Sequence, residues 1–595
     1  MMVLDDVVVT SATLNSPATR SEPHPSSRLI FMTSEPPVLS FLERFNRSYH
    51  AWNQRPDGFY ERKLGLLEGG FDANARMKGV SDVFTLAKFT VPSSSTSTVL
   101  SETNLLRTWT ELRILHPLLD SVTATSAPDM STAGLPANIP PSMMPVPEDL
   151  HFVYPGPRHA AERARKTFHR IPGTIQNNVE DWVETRLLNG RRKWLQQETC
   201  LSRVFLLQLG EGEWAVCFHM AHCVSDGVSA THLLADFFRL LASPQSTTAI
   251  ESEHPPSRRL TPALEDSYPP LPPSCNNWGP GRRRFWWAAQ KVMYDLRTRR
   301  ERSTRSIPLP TRRLLPPVAV QPISRWPVLV VGQDNVRRLV KVAREGGVSM
   351  GNLIYAIVGT TISNYVGEEA ARKADACQIG FPFNIRPFLG GERSENPESS
   401  IMLSFASIVV PAIPLKKGTK GREVKEVVLA RAKLVGKQFR DHFKSQERLV
   451  LNSYLRSGER LRAARGLPPA EKGKVKEGGE EQGEFSSMPL GQSMNCSVVG
   501  NLDHVLPSTY PVQSSTSSSP LVLEITALRM GVRVRSAEIL GEIWRFRGEL
   551  TVAVGFDESV YERTMIEGFL AEFDRVLGSV VGEQSGEDVR VRARL

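Results

Sequence analysis

The strongest hydrophobic pattern lies in the first half of the chain. Trp214 to Phe218 is an unbroken apolar run that predicts a buried strand, and Val228 to Leu240 repeats apolar residues at helical spacing. Upstream, residues 201–209 read as a second strand, with Gly210-Glu211-Gly212 as a hairpin turn between the two. Residues 81–91 predict another strand. A helix is expected over 100–115, where Leu105, Leu106, Trp109, Leu112 and Leu115 share one side, and it stops at His116-Pro117. Residues 179–198 predict a further helix. In the second half the pattern gives strands at 328–332, 376–386, 401–413, 493–500, 520–532 and 549–557. Between and after them it gives helices at 335–345, 350–366 and 560–580, and one long helix over about 420–456. Strands and helices mix without strict alternation, so the fold class is α/β in the broad sense, built as two α+β sandwiches.

A chain of 595 residues is too long for one core. The expected organisation is a disordered N-terminus (1–37), an N-terminal domain (38–242), a Pro/Arg-rich linker (243–327) and a C-terminal domain (328–595) with a disordered insert at about 471–487. Composition is that of a water-soluble globular protein, 40% hydrophobic and 23% charged. The net charge of +10 gathers in residues 282–313, a local feature that does not imply a nucleic-acid partner. That basic-aromatic stretch reads either as a solvated linker or as an interfacial helix. In the second case Phe285, Trp286, Trp287 and Met293 would make a weak membrane-surface contact through 282–302. Cys200, Cys217, Cys223, Cys275, Cys377 and Cys496 show no C-x-x-C spacing, so free thiols in a reducing compartment are expected. No apolar run approaches the length of a membrane span, and the N-terminus has no h-region with a cleavage site; a cytoplasmic location is the expectation.

Candidate chemistry sits on the turn between the strand at 214–218 and the helix at 228–240. His222-Cys-Val-Ser-Asp226-Gly227 is an H-x-x-x-D-G motif. A histidine beside a rigid strand can reach a substrate proton, an aspartate four residues on can fix the turn, and glycine lets the backbone turn tightly. Plainer readings stand beside this one. His222 can be a core histidine, and Asp226 can be the N-cap of the following helix, which is compatible with a structural role. His219 and His222 lack a third ligand, so no metal is expected. Cys223 has nothing nearby to make it a thiolate and reads as a bystander.

Four stretches together resemble a known superfamily: the helix end at 112–119, His222 to Gly227, PFNIRPFL at 382–389, and NCSVVGN at 495–501. They are similar, across roughly residues 40–580, to the H-x-x-x-D-G acyltransferases, which include chloramphenicol acetyltransferase and the condensation domains of peptide synthetases. The likeness is greatest to fungal trichothecene-type O-acetyltransferases. It implies two similar subdomains in a V with a central tunnel, acyl thioester entering one mouth and acceptor the other. It further implies that His222 is the general base and that Asp226 is a structural acid paired with Arg386 from the other subdomain, although Arg386, before a proline, also reads as a solvated strand end. Gly227 completes the motif, and Ser497 lies where a hydroxyl can approach the oxyanion, although a plain strand serine fits it as well.

Two departures from the superfamily shape the reading. Many condensation domains carry a second histidine where this chain has Ala221, and the D-F-G-W-G signature of the plant alcohol acyltransferases is absent. With no adjoining adenylation or carrier domain, free acyl-CoA is the expected co-substrate, with no bound cofactor and no assigned cofactor-binding residues. The basic stretch at 282–313 then gains a third reading, attraction of CoA phosphates. The expected activity is transfer of an acyl group, most simply acetyl, to a hydroxyl of a small apolar metabolite. A condensation-type amide former and a degenerate binding module are the rivals. Two subdomains in one chain allow a monomer with a complete site.

Overall fold

A computed structural model describes residues 50–76, 79–125, 150–175, 178–243, 259–268, 277–312, 322–389, 400–416, 418–419, 421–443, 446–464, 492–512 and 521–582. The expected disordered N-terminus 1–37, the chain entry at 38–49 and the expected insert at 471–487 lie outside the described residues. Among the described residues no helix is long and apolar enough to cross a membrane.

The architecture is mixed α/β, built on three sheets. The strand that leads into the motif, β8 (Glu213–Met220), is interior to a six-stranded sheet of order β14-β15-β3-β8-β7-β6, with β14 at Thr509–Val512 and β15 at Leu521–Val532. Its partners are β3 (Val83–Thr90) and β7 (Ser202–Gly210), both antiparallel to it, with β6 (Phe168–Thr174) at one edge. Every residue from Trp214 to Met220 is buried because both faces of this strand are covered, which is why it reads as a continuous apolar run instead of an alternating one. Helix α6 (Gly227–Ala242) follows the motif and packs on α3 (Glu102–Leu115) and on β3, β14 and β15.

The second sheet has seven strands in the order β10-β17-β16-β13-β11-β12, with β9 (Ser324–Arg325) paired to β17. These are β10 (Val328–Val331), β11 (Ala376–Asn384), β12 (Leu403–Pro411), β13 (Met494–Asn501), β16 (Ile539–Phe546) and β17 (Glu549–Asp557). Helices α8 (Gln333–Glu345), α9 (Met350–Arg372), α10 (Arg422–Phe443) and α12 (Arg563–Val581) pack with this half. A small sheet joins β1 (Asn53–Gln54), β2 (Tyr60–Lys63), β5 (Leu150–Tyr154) and β4 (Val122–Thr125).

The boundary at 328 does not separate the sheets. Strands β14 (Thr509–Val512) and β15 (Leu521–Val532) come from the second half of the chain but complete the first sheet, where β15 runs antiparallel to β3. The two halves are joined at Trp326, whose indole lies against Gly531 of β15 and Gly555 of β17. A Cβ at either glycine would come within 2.7 and 2.3 Å of the ring, so only glycine admits the wedge. The indole N–H donates to the Val532 carbonyl at 3.0 Å.

Three further expectations need correction. Residues 179–198 hold only the short helix α5 (Val179–Val183) and a π turn to Leu188. Past that point Asn189 brackets the backbone of Ser324 at 2.7 and 2.9 Å, and Arg192 is drawn to Asp82 at 2.6 Å, so tertiary contacts override helix propensity. The single helix expected over 420–456 is two, α10 and α11 (Gln446–Ala464), with different partners: α10 lies on α9, and α11 lies on α1 (Leu66–Arg76). The stretch 243–327 is not a solvated bridge where it is described. Arg259, Thr261, Ala263 and Leu264 are buried, Glu265 accepts from the Leu66 N–H at 2.8 Å, and residues 280–303 form helix α7 (Pro280–Ser303) against α11.

Candidate active site

The motif turn is fixed from three sides. At its start, β8 delivers Ala221 and His222 at the end of a strand whose backbone is bonded to both neighbours. The His222 Nδ1 lies 2.8 Å from the Ser225 carbonyl. A carbonyl only accepts, so Nδ1 carries the proton and the Nε2 lone pair points elsewhere. One face of the imidazole stacks on Phe71 of α1, with ring centroids 3.9 Å apart and 27° between planes. Burial pushes the imidazolium pKa down to about 4, against smaller opposing contributions from backbone hydrogen bonds and Asp226, and the Arg460 cation adds to the depression. The ring is therefore neutral at physiological pH, with its basic nitrogen unprotonated.

Asp226 is wholly buried and both of its oxygens are occupied. Its Oδ1 accepts from the N–H groups of Val228 (3.1 Å) and Ser229 (2.9 Å), which makes it the N-cap of α6, and Ser229 reciprocates by accepting from the Asp226 N–H at 3.3 Å. Its Oδ2 accepts from the Met402 N–H at 2.9 Å and pairs with Arg386 Nη1 at 3.0 Å. Four donors fill a carboxylate, so this group has no lone pair left for proton transfer. The N-cap reading and the ion-pair reading describe the two oxygens of one side chain.

Arg386 is held in turn. It opens a 3₁₀ turn (Arg386–Phe388) after β11, and Asn384 Oδ1 accepts from its backbone N–H at 3.0 Å and from Nη1 at 3.3 Å. Its Nη2 donates to the Ser400 carbonyl. The N-x-R-P sequence thus has a local reason: the asparagine braces both ends of the arginine, and Pro387 sets the turn. One carboxylate from the first half of the chain is clamped by a guanidinium and a backbone N–H from the second.

Gly227 has a different role from the tight turn expected of it. It is the first residue of α6, its φ is not positive, and an added Cβ would meet nothing within 4 Å. What glycine supplies there is open volume beside the His222 turn. Gly227→Ala is expected to fold with equal stability or up to about 1 kcal/mol more, since alanine is the better helix residue. Urea unfolding checks this, and a loss of stability would restore the strained-turn explanation.

The remaining candidates are placed as follows. Ser497 lies half-buried on β13 in the seven-stranded sheet, on the face opposite Cys496 and Val498 and across from Glu542. Cys223 is fully buried, and burial pushes its thiol pKa well above the usual value, so it stays protonated. His219 is buried on β8 with its pKa lowered by burial to about 3. Among the described residues no group of three His, Cys, Asp or Glu side chains could hold a metal ion.

Two side chains at the site carry no sequence signal. Phe71 comes from α1, a helix that contains Gly69-Gly70, residues that disfavour helix. An added Cβ at Gly70 would lie 3.5 Å from the Leu461 Cα, an ordinary van der Waals contact, so α1 and α11 pack against each other here without requiring glycine. Arg460, on α11, places its guanidinium 3.6 Å over the Phe405 ring and 5.8 Å from the Phe71 ring.

No protein-family model and no curated protein matches the sequence. Solved structures do match in fold. The chain is similar to the TRI3 trichothecene 15-O-acetyltransferase from Fusarium sporotrichioides, with a TM-score of 0.68 at 13% identity, over 90% of this chain and 99% of that one. It is also similar to the first condensation domain of the calcium-dependent antibiotic synthetase (TM-score 0.51, 14% identity, 88% of this chain and 97% of that one). A third is the EpoB cyclization-docking bidomain from Sorangium cellulosum (TM-score 0.51, 12% identity, 89% and 85%). At such identities the likeness establishes the fold, that of the acetyltransferase and condensation domains.

Proposed function

We propose that the protein is an acyltransferase moving an acyl group from acyl-CoA to the hydroxyl of a small apolar metabolite, with His222 as general base. The observation that carries this reading is the His222 tautomer, in which the Ser225 carbonyl holds the proton on Nδ1 and leaves Nε2 as the acceptor. The fold shared with an enzyme described as an O-acetyltransferase supports it. Ala221, buried where condensation domains often place a second histidine, favours the alcohol acceptor over amide formation.

In this reading His222 Nε2 takes the acceptor O–H proton as the oxygen attacks the thioester carbonyl carbon. A C–O bond forms and a tetrahedral oxyanion results. Collapse breaks the C–S bond, and the departing CoA thiolate takes the proton back from Nε2, so the imidazole ends neutral. The base supplies about 10²–10⁴-fold. Asp226 and Arg386 act only by holding the turn, and we keep Ser497 as a candidate contact to the oxyanion. The test is thiol release from acetyl-CoA across a panel of apolar alcohols and matched amines. Release with alcohols supports the reading; release with amines alone overturns its acceptor class.

A pH prediction follows from the burial of His222. Only the neutral ring can accept a proton, so kcat/KM falls as pH drops through the folded-state value. That value lies near 4, so the rate is expected to stay flat through pH 6.5 and to fall only toward 4. An acidic limb centred at 6.5 would mean a solvated ring.

A further inference from the structure

Helix α7 is packed on one side and open on the other. Trp287 and Tyr294 are 5% and 6% exposed. They face α11, where Trp287 packs with Leu451, Arg456 lies 5.8 Å from the Tyr294 ring, and Arg456 pairs with Glu301 at 2.9 Å. Trp287 therefore faces inward and is unavailable for the surface role considered from sequence. The opposite face carries Phe285, Val292, Met293 and Leu296, which are 76, 56, 48 and 53% exposed. With the exposed Ala288 they recur at i, i+3, i+7, i+8 and i+11, one stripe about 16 Å long. Four of the seven exposed large hydrophobic side chains among the described residues lie on this helix, so apolar exposure is concentrated here and not scattered. Exposed Arg282, Arg284, Lys291, Arg299, Arg300 and Arg302 surround the stripe, and residues 282–302 carry a net charge of +6.

We propose that α7 docks the protein on an anionic lipid bilayer, with the Phe285–Leu296 stripe in the headgroup boundary and the arginines at lipid phosphates. An apolar stripe bordered by cations is what a bilayer surface selects. A partner that wraps a basic helix needs all of its faces, and α11 already covers one. A second copy of the chain would bring the same positive charge against this one. The inner face of α7 packs on α11, the helix that carries Arg460 and contacts α1. The inference itself stands apart from the proposed reaction.

The test is co-sedimentation of the full chain with vesicles of phosphatidylcholine containing about 30% phosphatidylserine, beside pure phosphatidylcholine, at about 0.1 M salt. Wild type is expected to sediment with the anionic vesicles at least about tenfold more than with the neutral ones, and to be released by about 0.5 M salt. Phe285→Asp/Leu296→Asp is expected to lose binding about tenfold or more with its melting temperature unchanged, because both side chains point to solvent. Arg284→Gln/Arg300→Gln should lose the preference for phosphatidylserine. Absence of binding by wild type, or equal binding by the double aspartate variant, would overturn the proposal. So would a wild-type dimer that this variant turns into a monomer.

Discussion

Asp226→Ala is expected to destabilise the protein by about 3–5 kcal/mol, the largest stability effect of any single change at the site. The substitution strips the carboxylate from Arg386, which is only 9% exposed and cannot turn to water, and it orphans the N–H groups of Met402, Val228 and Ser229. Loss of the N-cap alone accounts for about 1 kcal/mol; the remainder comes from the guanidinium left buried without its counter-charge. Asp226→Asn should lose less, because asparagine still caps α6 through its carbonyl oxygen. Arg386→Ala should also lose less, since three backbone N–H donors stay on the carboxylate. Denaturant unfolding of the three variants gives the order directly. An Asp226→Ala variant within about 0.5 kcal/mol of wild type would mean that the pair contributes nothing. Because this carboxylate joins α6 to the loop before β12, the weakened variants should also lose activity without having lost the base.

His222→Ala is expected to lower acceptor-dependent acyl transfer by about 10²–10⁴-fold while leaving the fold intact. The imidazole bonds to the Ser225 carbonyl and stacks on Phe71, whereas the turn is held by Asp226. Removing the ring therefore deletes the proton acceptor without removing the scaffold. His222→Gln sharpens the result, since glutamine can hydrogen-bond an alcohol but cannot take its proton at neutral pH. The assay is thiol release from acetyl-CoA by each variant, after matching folded fractions by circular dichroism. A rate undiminished in both folded variants would remove His222 from the chemistry.

Much of this site is legible in the sequence because its parts are local. Strand β8 shows itself as an apolar run, α6 as a helical repeat, and the residues between them are placed by those two elements. Asp226 and Arg386 lie far apart in the chain yet each sits in a short motif, and the structure has their side chains 3.0 Å apart. What escapes the sequence is set by packing between distant segments. Phe71 lies on a helix that two glycines disguise, and Arg460 on a helix that merges in the pattern with its predecessor. The role of Gly227 escapes the sequence for a related reason. A glycine in a motif suggests a turn, but its value depends on what surrounds the missing side chain, which no local pattern records. Helix α7 gives the same lesson in reverse. Its aromatic and basic residues are obvious in the sequence, but which of them face α11 and which face solvent is decided by Leu451 and Arg456.

The central claim is direct transfer from thioester to alcohol with His222 Nε2 as the only base. A single turnover with acetyl-labelled acetyl-CoA in excess enzyme tests it most directly, followed by intact-protein mass spectrometry and product analysis with and without an accepted alcohol. Direct transfer predicts that no label attaches to the protein, that thiol is released only when alcohol is present, and that the label appears in the ester at the same rate. A labelled protein formed before alcohol is added, on Cys223 or any other side chain, would contradict it.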